Sequence, residues 1–308
     1  MASNRVWILL LLGGALPGFA QTPAAPPAAP ADQTTPQAAQ GEKNRSVLAV
    51  KPGEETIKNK DLFDRTGYLH PFRRLPRFVL NDQKKIWSSP FHTSKQDAKY
   101  WAIFGGTTGL LIAFDEQIQQ KAPNPGWLVT LGTRGSYLGA AYTLIPLSAG
   151  FYFIGTKAGN DRFREAGLMS FEALIDSTIV EEVMKVTLDR ERPLENTGEG
   201  RFFHSPDRIN AGFPSGHSIN TFALASVFAH EYHDHLWVKI LAYSYATTVA
   251  LSRLAADRHF PSDTLAGGAM GWFIGDYIYA KRHNSDIDHK PSISQRILDH
   301  VHIGMAAY

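Results

Sequence analysis

Residues 137–156 read YLGAAYTLIPLSAGFYFIGT. The run carries no charge and shows no alternation of polar and apolar positions, so its period is that of a helix. It is apolar enough to cross a bilayer, although Pro146 interrupts it. Working outward, segments of helical length follow one another at about 99–120, 134–156, 163–188, 217–233, 237–256 and 263–281. Small residues at Gly105, Gly106, Gly109, Gly139, Gly267 and Gly268 permit close helix approach. No strand pattern competes with these segments. The expected fold is all-α: a bundle of about six core helices within residues 99–283.

The flanks read differently. Residues 1–20 resemble an export signal, with Arg5 before a short apolar core and Gly18-Phe19-Ala20 at the cleavage end. Residues 21–45 are rich in Pro, Ala, Gln and Thr and read as a disordered linker. Residues 46–98 are expected to form an irregular N-terminal extension, and 284–308 a C-terminal tail. The chain has 308 residues, a net charge of +2 and no cysteine. Thiolate metal sites, thiol catalysis and disulfides are therefore excluded. The near-neutral balance speaks against a nucleic-acid partner.

Spanning is harder to read. The third segment holds Glu172, Asp176, Glu181 and Glu182, and charges inside a span are costly unless they face a polar interior. Export of residue 21 followed by three spans also puts the loop after Thr187 on the inner side. The expectation is an exported bundle in the cell envelope, on the periplasmic side, membrane-associated or soluble.

Three clusters carry chemistry. Lys185 is followed after six residues by Arg192-Pro193. Pro214-Ser215-Gly216-His217 opens an apolar helix. Ser252-Arg253 is followed after five residues by His259 and after three more by Asp263. Arginine forks match phosphate oxygens, and lysine adds a point charge. Ser215 sits at an N-cap position, where the free N–H groups near Gly216 and His217 favour an anion. His259 and Asp263 share a helix face at i, i+4. Asp263 is thus expected to accept the Nδ1–H of His259 and leave Nε2 as the nucleophile. Singly, each of these features is an ordinary surface charge, cap or ion pair. Together they supply what in-line phosphoryl transfer needs: an attacking imidazole, a proton donor, and cations for three equatorial oxygens.

Lys185-Val186-Thr187-Leu188-Asp189-Arg190-Glu191-Arg192-Pro193, Pro214-Ser215-Gly216-His217 and Ser252 to Asp263 resemble the three-part signature of the type 2 phosphatidic acid phosphatase family. The same superfamily holds bacterial class A acid phosphatases and vanadium haloperoxidases. The resemblance covers about residues 100–281. It implies a helical bundle with His259 as nucleophile, Asp263 as its orienting partner and His217 as acid for the leaving group. It implies Lys185, Arg192, Ser215, Gly216 and Arg253 as phosphate binders, with no metal and no cofactor. The expected activity is hydrolysis of phosphate monoesters or diphosphates through a phosphohistidine at His259. The expected substrate is a phosphorylated lipid, of the phosphatidic acid or polyprenyl diphosphate type. A broad-specificity soluble phosphatase acting on small phosphate esters is the alternative, ahead of a vanadium-dependent haloperoxidase or a non-enzymatic envelope protein. His230-Glu231-Tyr232-His233-Asp234-His235 mimics a metal motif but has Asp234 where a second helical ligand is needed, and reads as a solvated turn.

Overall fold

The computed structural model describes residues 70–92, 94–121, 124–195 and 198–284. The described residues all belong to one unit, Ser46–Tyr308. The expected export signal at 1–20 and linker at 21–45 lie outside the described residues. So do positions 46–69 of the extension and nearly all of the tail.

Among the described residues the regular structure is helical. It comprises α1 (His70–Ser88), α2 (Lys95–Lys121), α3 (Gly126–Ser136), α4 (Ala141–Ala158), α5 (Asp161–Leu188), α6 (Gly216–Glu231), α7 (Leu236–Ala255) and α8 (Pro261–Arg282). Local chemistry sets the ends. The Asn160 side chain accepts the Phe163 N–H at 3.0 Å and starts α5, while Gly159 at φ 64° ends α4. Pro261 opens α8, where a missing N–H costs nothing.

The core forms where α5, α6 and α8 meet. Met169, Ala173, Val180, Ile219, Ala223, Val227, Ile274 and Ile278 pack together there. α8 lies so close on α6 that a Cβ at Gly271 would stand 2.1 Å from the Ile219 carbonyl oxygen. A second cluster, Leu144, Ala166, Leu174, Leu224 and Phe228, joins α4 to α5 and α6. α3 packs on α7, and α2 on α8.

Two expectations need correction. The apolar segment 134–156 is not one helix: α3 ends at Ser136, a 3-10 turn follows, and Ala140 is extended at ψ 150° before α4 begins. The extension is also not irregular throughout, because His70–Ser88 is a helix docked by charge. Its Asp82 is fully buried and accepts from Lys281, Arg282 and the Tyr277 hydroxyl of α8. Gln83 donates to Asp176 Oδ1 at 2.8 Å. Glu172 accepts from Arg282 at 2.6 and 2.9 Å. Two of the acids that spoke against a span in α5, Glu172 and Asp176, thus have partners inside the bundle, while the Glu182 side chain stays 45% exposed.

Apolar side chains also cover much of the outer surface. Trp127, Leu131, Tyr142 and Ile154 stand out from the α3–α4 region, and Leu236, Trp237, Ile240 and Leu241 from α7. Gly126–Ala158 is long and apolar enough to cross a membrane, and a third of its apolar window is buried in the bundle.

Candidate active site

The three sequence clusters come from four different elements and meet at one end of the bundle. Lys185 lies in the last turn of α5 and is buried. Arg192 follows on the loop, where its Nε donates to the Asn210 carbonyl at 2.6 Å. Ser215 is the N-cap of α6, with Gly216 and His217 in the first turn. Its hydroxyl does not cap the helix. It accepts instead from the Ser218 hydroxyl at 3.2 Å. Arg253 sits in the last turn of α7, and His259 and Asp263 flank the start of α8.

His259 is 2% exposed. Its Nδ1 lies 2.8 Å from the Gly212 carbonyl oxygen, so this nitrogen carries the proton and Nε2 keeps its lone pair. That differs from the expected arrangement, since Asp263 Oδ2 stands 3.6 Å from Nδ1. Asp263 is engaged elsewhere. Its Oδ2 accepts the Phe260 N–H at 2.8 Å, capping α8, and its Oδ1 accepts from Arg190 at 2.5 Å. The expectation failed because a carboxylate at the third position of a helix satisfies the helix's own free N–H first.

Charge gathers around the two imidazoles. Burial, then Arg253, Arg192 and Lys185, hold His259 well below the usual histidine range. Burial, then Arg253, His259, Lys185 and Arg192, push His217 down to about 3. Both rings are therefore neutral in the empty site at neutral pH. That suits His259 as a nucleophile. It does not suit His217 as an acid until a phosphate dianion offsets the three cations. Arg253 is pushed down to about 10 by burial and by Arg192 and Arg258, and so stays charged at neutral pH. Its Nε is buried without a hydrogen-bond partner among the described residues.

Four groups that matter here escaped the sequence reading. Glu181, one turn before Lys185, binds the Lys185 ammonium and lies so close to α6 that a Cβ at position 216 would stand 1.8 Å from its Oε1. Arg190 and Asp115 form a buried ion pair beside Asp263. The fourth is the Gly212 carbonyl. The available signals were an acid four residues before a lysine, an extra arginine inside the first cluster, and the Asp115-Glu116 pair closing the apolar run of α2. The carbonyl left no signal.

The His230–His235 stretch also needs revision. It is not wholly solvated: Glu231 is fully buried, with His283 at 3.1 Å and Arg162 at 4.0 Å. His230 faces Asp276 at 3.3 Å.

Residues 167–286 match the PAP2 superfamily, a span that contains all three clusters. The chain is 37% identical over 76 residues to a lipid A 1-phosphatase of Porphyromonas gingivalis, covering 24% of this chain and 17% of that protein. It is 28% identical over 179 residues to phosphatidylglycerophosphatase B of Bacillus subtilis, covering 54% and 82% respectively. Among solved structures, a transmembrane PAP2-type phosphatidylglycerolphosphate phosphatase from Bacillus subtilis is similar at 24% identity. It covers 72% of this chain and 98% of that one, with a TM-score of 0.43.

Proposed function

We propose, from the premise that this chain is a member of the PAP2 superfamily and a phosphoric ester hydrolase, that it cleaves lipid-linked phosphate through a phosphohistidine at His259. The observation that carries the reading is the state of His259. A buried, neutral imidazole has its Nδ1–H fixed on a carbonyl, and Lys185, Arg192 and Arg253 act on it together.

Lys185, Arg192 and Arg253, with the free N–H groups at the start of α6, hold the non-bridging oxygens of the phosphate. Bound phosphate brings negative charge to His217 and raises its proton affinity, so the ring arrives protonated at the leaving oxygen. Nε2 of His259 attacks phosphorus in line, and the bond to the leaving alkoxide breaks as His217 gives up its proton. Water, deprotonated by His217, then attacks phosphorus and breaks the N–P bond. Phosphate leaves and both rings return to their starting state.

A lipid substrate is supported by the exposed aromatic and aliphatic side chains on the α3–α4 region and α7. It is also supported by the relatives named for lipid A and phosphatidylglycerophosphate. We place the bundle at a membrane on the same grounds, with export to the periplasmic side resting on the sequence of residues 1–20.

The test is a substrate panel in detergent with EDTA present: phosphatidic acid, undecaprenyl diphosphate, lipid A and p-nitrophenyl phosphate. At least one lipid is expected to turn over faster than the soluble ester, and His259→Ala to lose turnover on all four. Turnover retained by His259→Ala removes the proposed nucleophile, and a strict preference for the soluble ester removes the lipid.

A further inference from the structure

Asp263 does not hold the His259 ring directly; it is itself held, and the holder is Arg190. This side chain is 1% exposed and lies between the rings of Phe202 and Phe260, at 4.9 and 4.7 Å. Every arm of its guanidinium is used. Nη1 donates to Asp263 Oδ1 at 2.5 Å and to the Ser262 hydroxyl at 2.6 Å. Nη2 donates to Asp115 Oδ2 at 2.8 Å, and Nε to the Gly200 carbonyl at 3.0 Å. Asp115, fully buried on α2, also accepts from the Ser262 N–H at 3.2 Å and from the Ser262 hydroxyl.

The backbone of the same residue reaches the other side of the imidazole. The Arg190 carbonyl accepts the Gly212 N–H at 2.7 Å. The Gly212 carbonyl in turn accepts from His259 Nδ1 at 2.8 Å. One residue thus fixes both supports of His259: the oxygen that sets its tautomer, and the first turn of α8 that it leads into. A guanidinium locked on two carboxylates has a single low-energy orientation, because its fork is planar.

We propose that Arg190 and Asp115 form a positioning clamp that aims Nε2 of His259 at the phosphate and stabilises the charge that ring gains as it is phosphorylated. The inference rests on the phosphohistidine reading and deepens it. Two carboxylates against one guanidinium leave net negative charge behind the ring, at the moment attack makes the ring electron-poor. Neither residue touches the substrate, so both are positioning residues. Asp115 also lies outside the segment that matches the superfamily, so the clamp ties α2 of this chain to the site.

The experiment compares Asp115→Asn with wild type in the full chain, using p-nitrophenyl phosphate, orthovanadate and inorganic phosphate. Asparagine keeps the size and an oxygen for the Ser262 N–H but removes the charge. The clamp predicts that kcat falls about tenfold or more while KM stays within about threefold. Orthovanadate bonds to the ring nitrogen as phosphorus does in the transition state, whereas inorganic phosphate is held by the cations and the α6 N–H groups without a bond to the ring. The vanadate Ki should therefore rise about fivefold or more while the phosphate Ki stays within about twofold. Arg190→Lys should not restore the wild-type values, because an ammonium cannot reproduce the fork. If Asp115→Asn does not fold, Ser262→Ala removes one link without touching charge and should give the same split in smaller measure. Unchanged kcat and vanadate inhibition overturn the clamp, and so does a parallel rise of both inhibition constants. A wild-type protein with no turnover and no vanadate inhibition fails the phosphatase reading instead, and the two failures are told apart by the wild-type control.

Discussion

Arg253 shows most plainly what the site is built to receive. Among the described residues its half-buried guanidinium enters no ion pair, while Asp82, Glu172 and Asp263 all have cationic partners. Its Nε is buried without a hydrogen-bond partner among the described residues. Leaving such a donor unsatisfied costs on the order of 1–3 kcal/mol. An arriving oxyanion recovers that cost, which favours binding. Arg253→Ala is therefore expected to raise both KM and the phosphate Ki by about 10- to 100-fold, the equivalent of one or two charge-assisted hydrogen bonds. Arg253→Lys should recover only part of this. Steady-state kinetics with phosphate inhibition measure it, and an unchanged Ki would remove Arg253 from the phosphate site. At this scale the sequence was informative about charge type and spacing. Lys185, Arg192, His217, Arg253 and His259 could all be picked out from their neighbours. The hydrogen bond that orients His259 could not, because its acceptor is the main chain of Gly212, 47 residues away. Main-chain oxygens are identical at every position, and only the folded path selects one.

Helix α1 is the element whose role was least visible. Its sequence, HPFRRLPRFVLNDQKKIWS, is polar on average, although it is amphipathic and buries Leu75 and Val79. What docks it is a set of charges that become legible only when their partners on α5 and α8 are in place: Asp82 with Lys281 and Arg282, and Gln83 with Asp176. Asp176 has a measurable consequence. Burial, and after it the charges of Asp82 and Glu172, push its carboxyl up to about 8 from 3.8, against the opposing pull of the Gln83 hydrogen bond and Arg282. Between these two values the folded state holds a proton that the unfolded state has released, so stability falls as pH rises across that window. Asp176→Asn mimics the protonated acid. It is expected to flatten the dependence of Tm on pH between about 4 and 8 and to raise Tm at the alkaline end. Thermal unfolding of both proteins across the range checks this. A wild-type Tm that rises steadily towards pH 8 would contradict it. The split of the 137–156 run into a 3-10 turn and α4 was hidden for a related reason. Nothing in YLGA forbids a continuous helix, and the close approach of Gly139 to Val249 and His217 is a tertiary fact.

At the scale of the whole molecule, an apolar exterior surrounds a site made of charge. The six apolar segments were readable because burial demands a repeating pattern, and each has a counterpart in α2, α4, α5, α6, α7 and α8. The acids in the third segment are held in different ways: Glu172 meets Arg282 from the far end of the chain, and Glu181 meets Lys185 one turn on. The exposed tryptophans and leucines of the α3–α4 region and α7 are suited to a membrane environment. All of this depends on His259 forming a covalent bond to phosphorus. The direct measurement is a rapid neutral quench of the protein with labelled substrate, followed by peptide mapping. The account predicts a phosphoenzyme that is labile in acid, stable in base and located on His259, absent in His259→Ala and longer-lived in His217→Ala. Label on any other residue, or turnover at full rate with no trapped intermediate in wild type or His217→Ala, would contradict it.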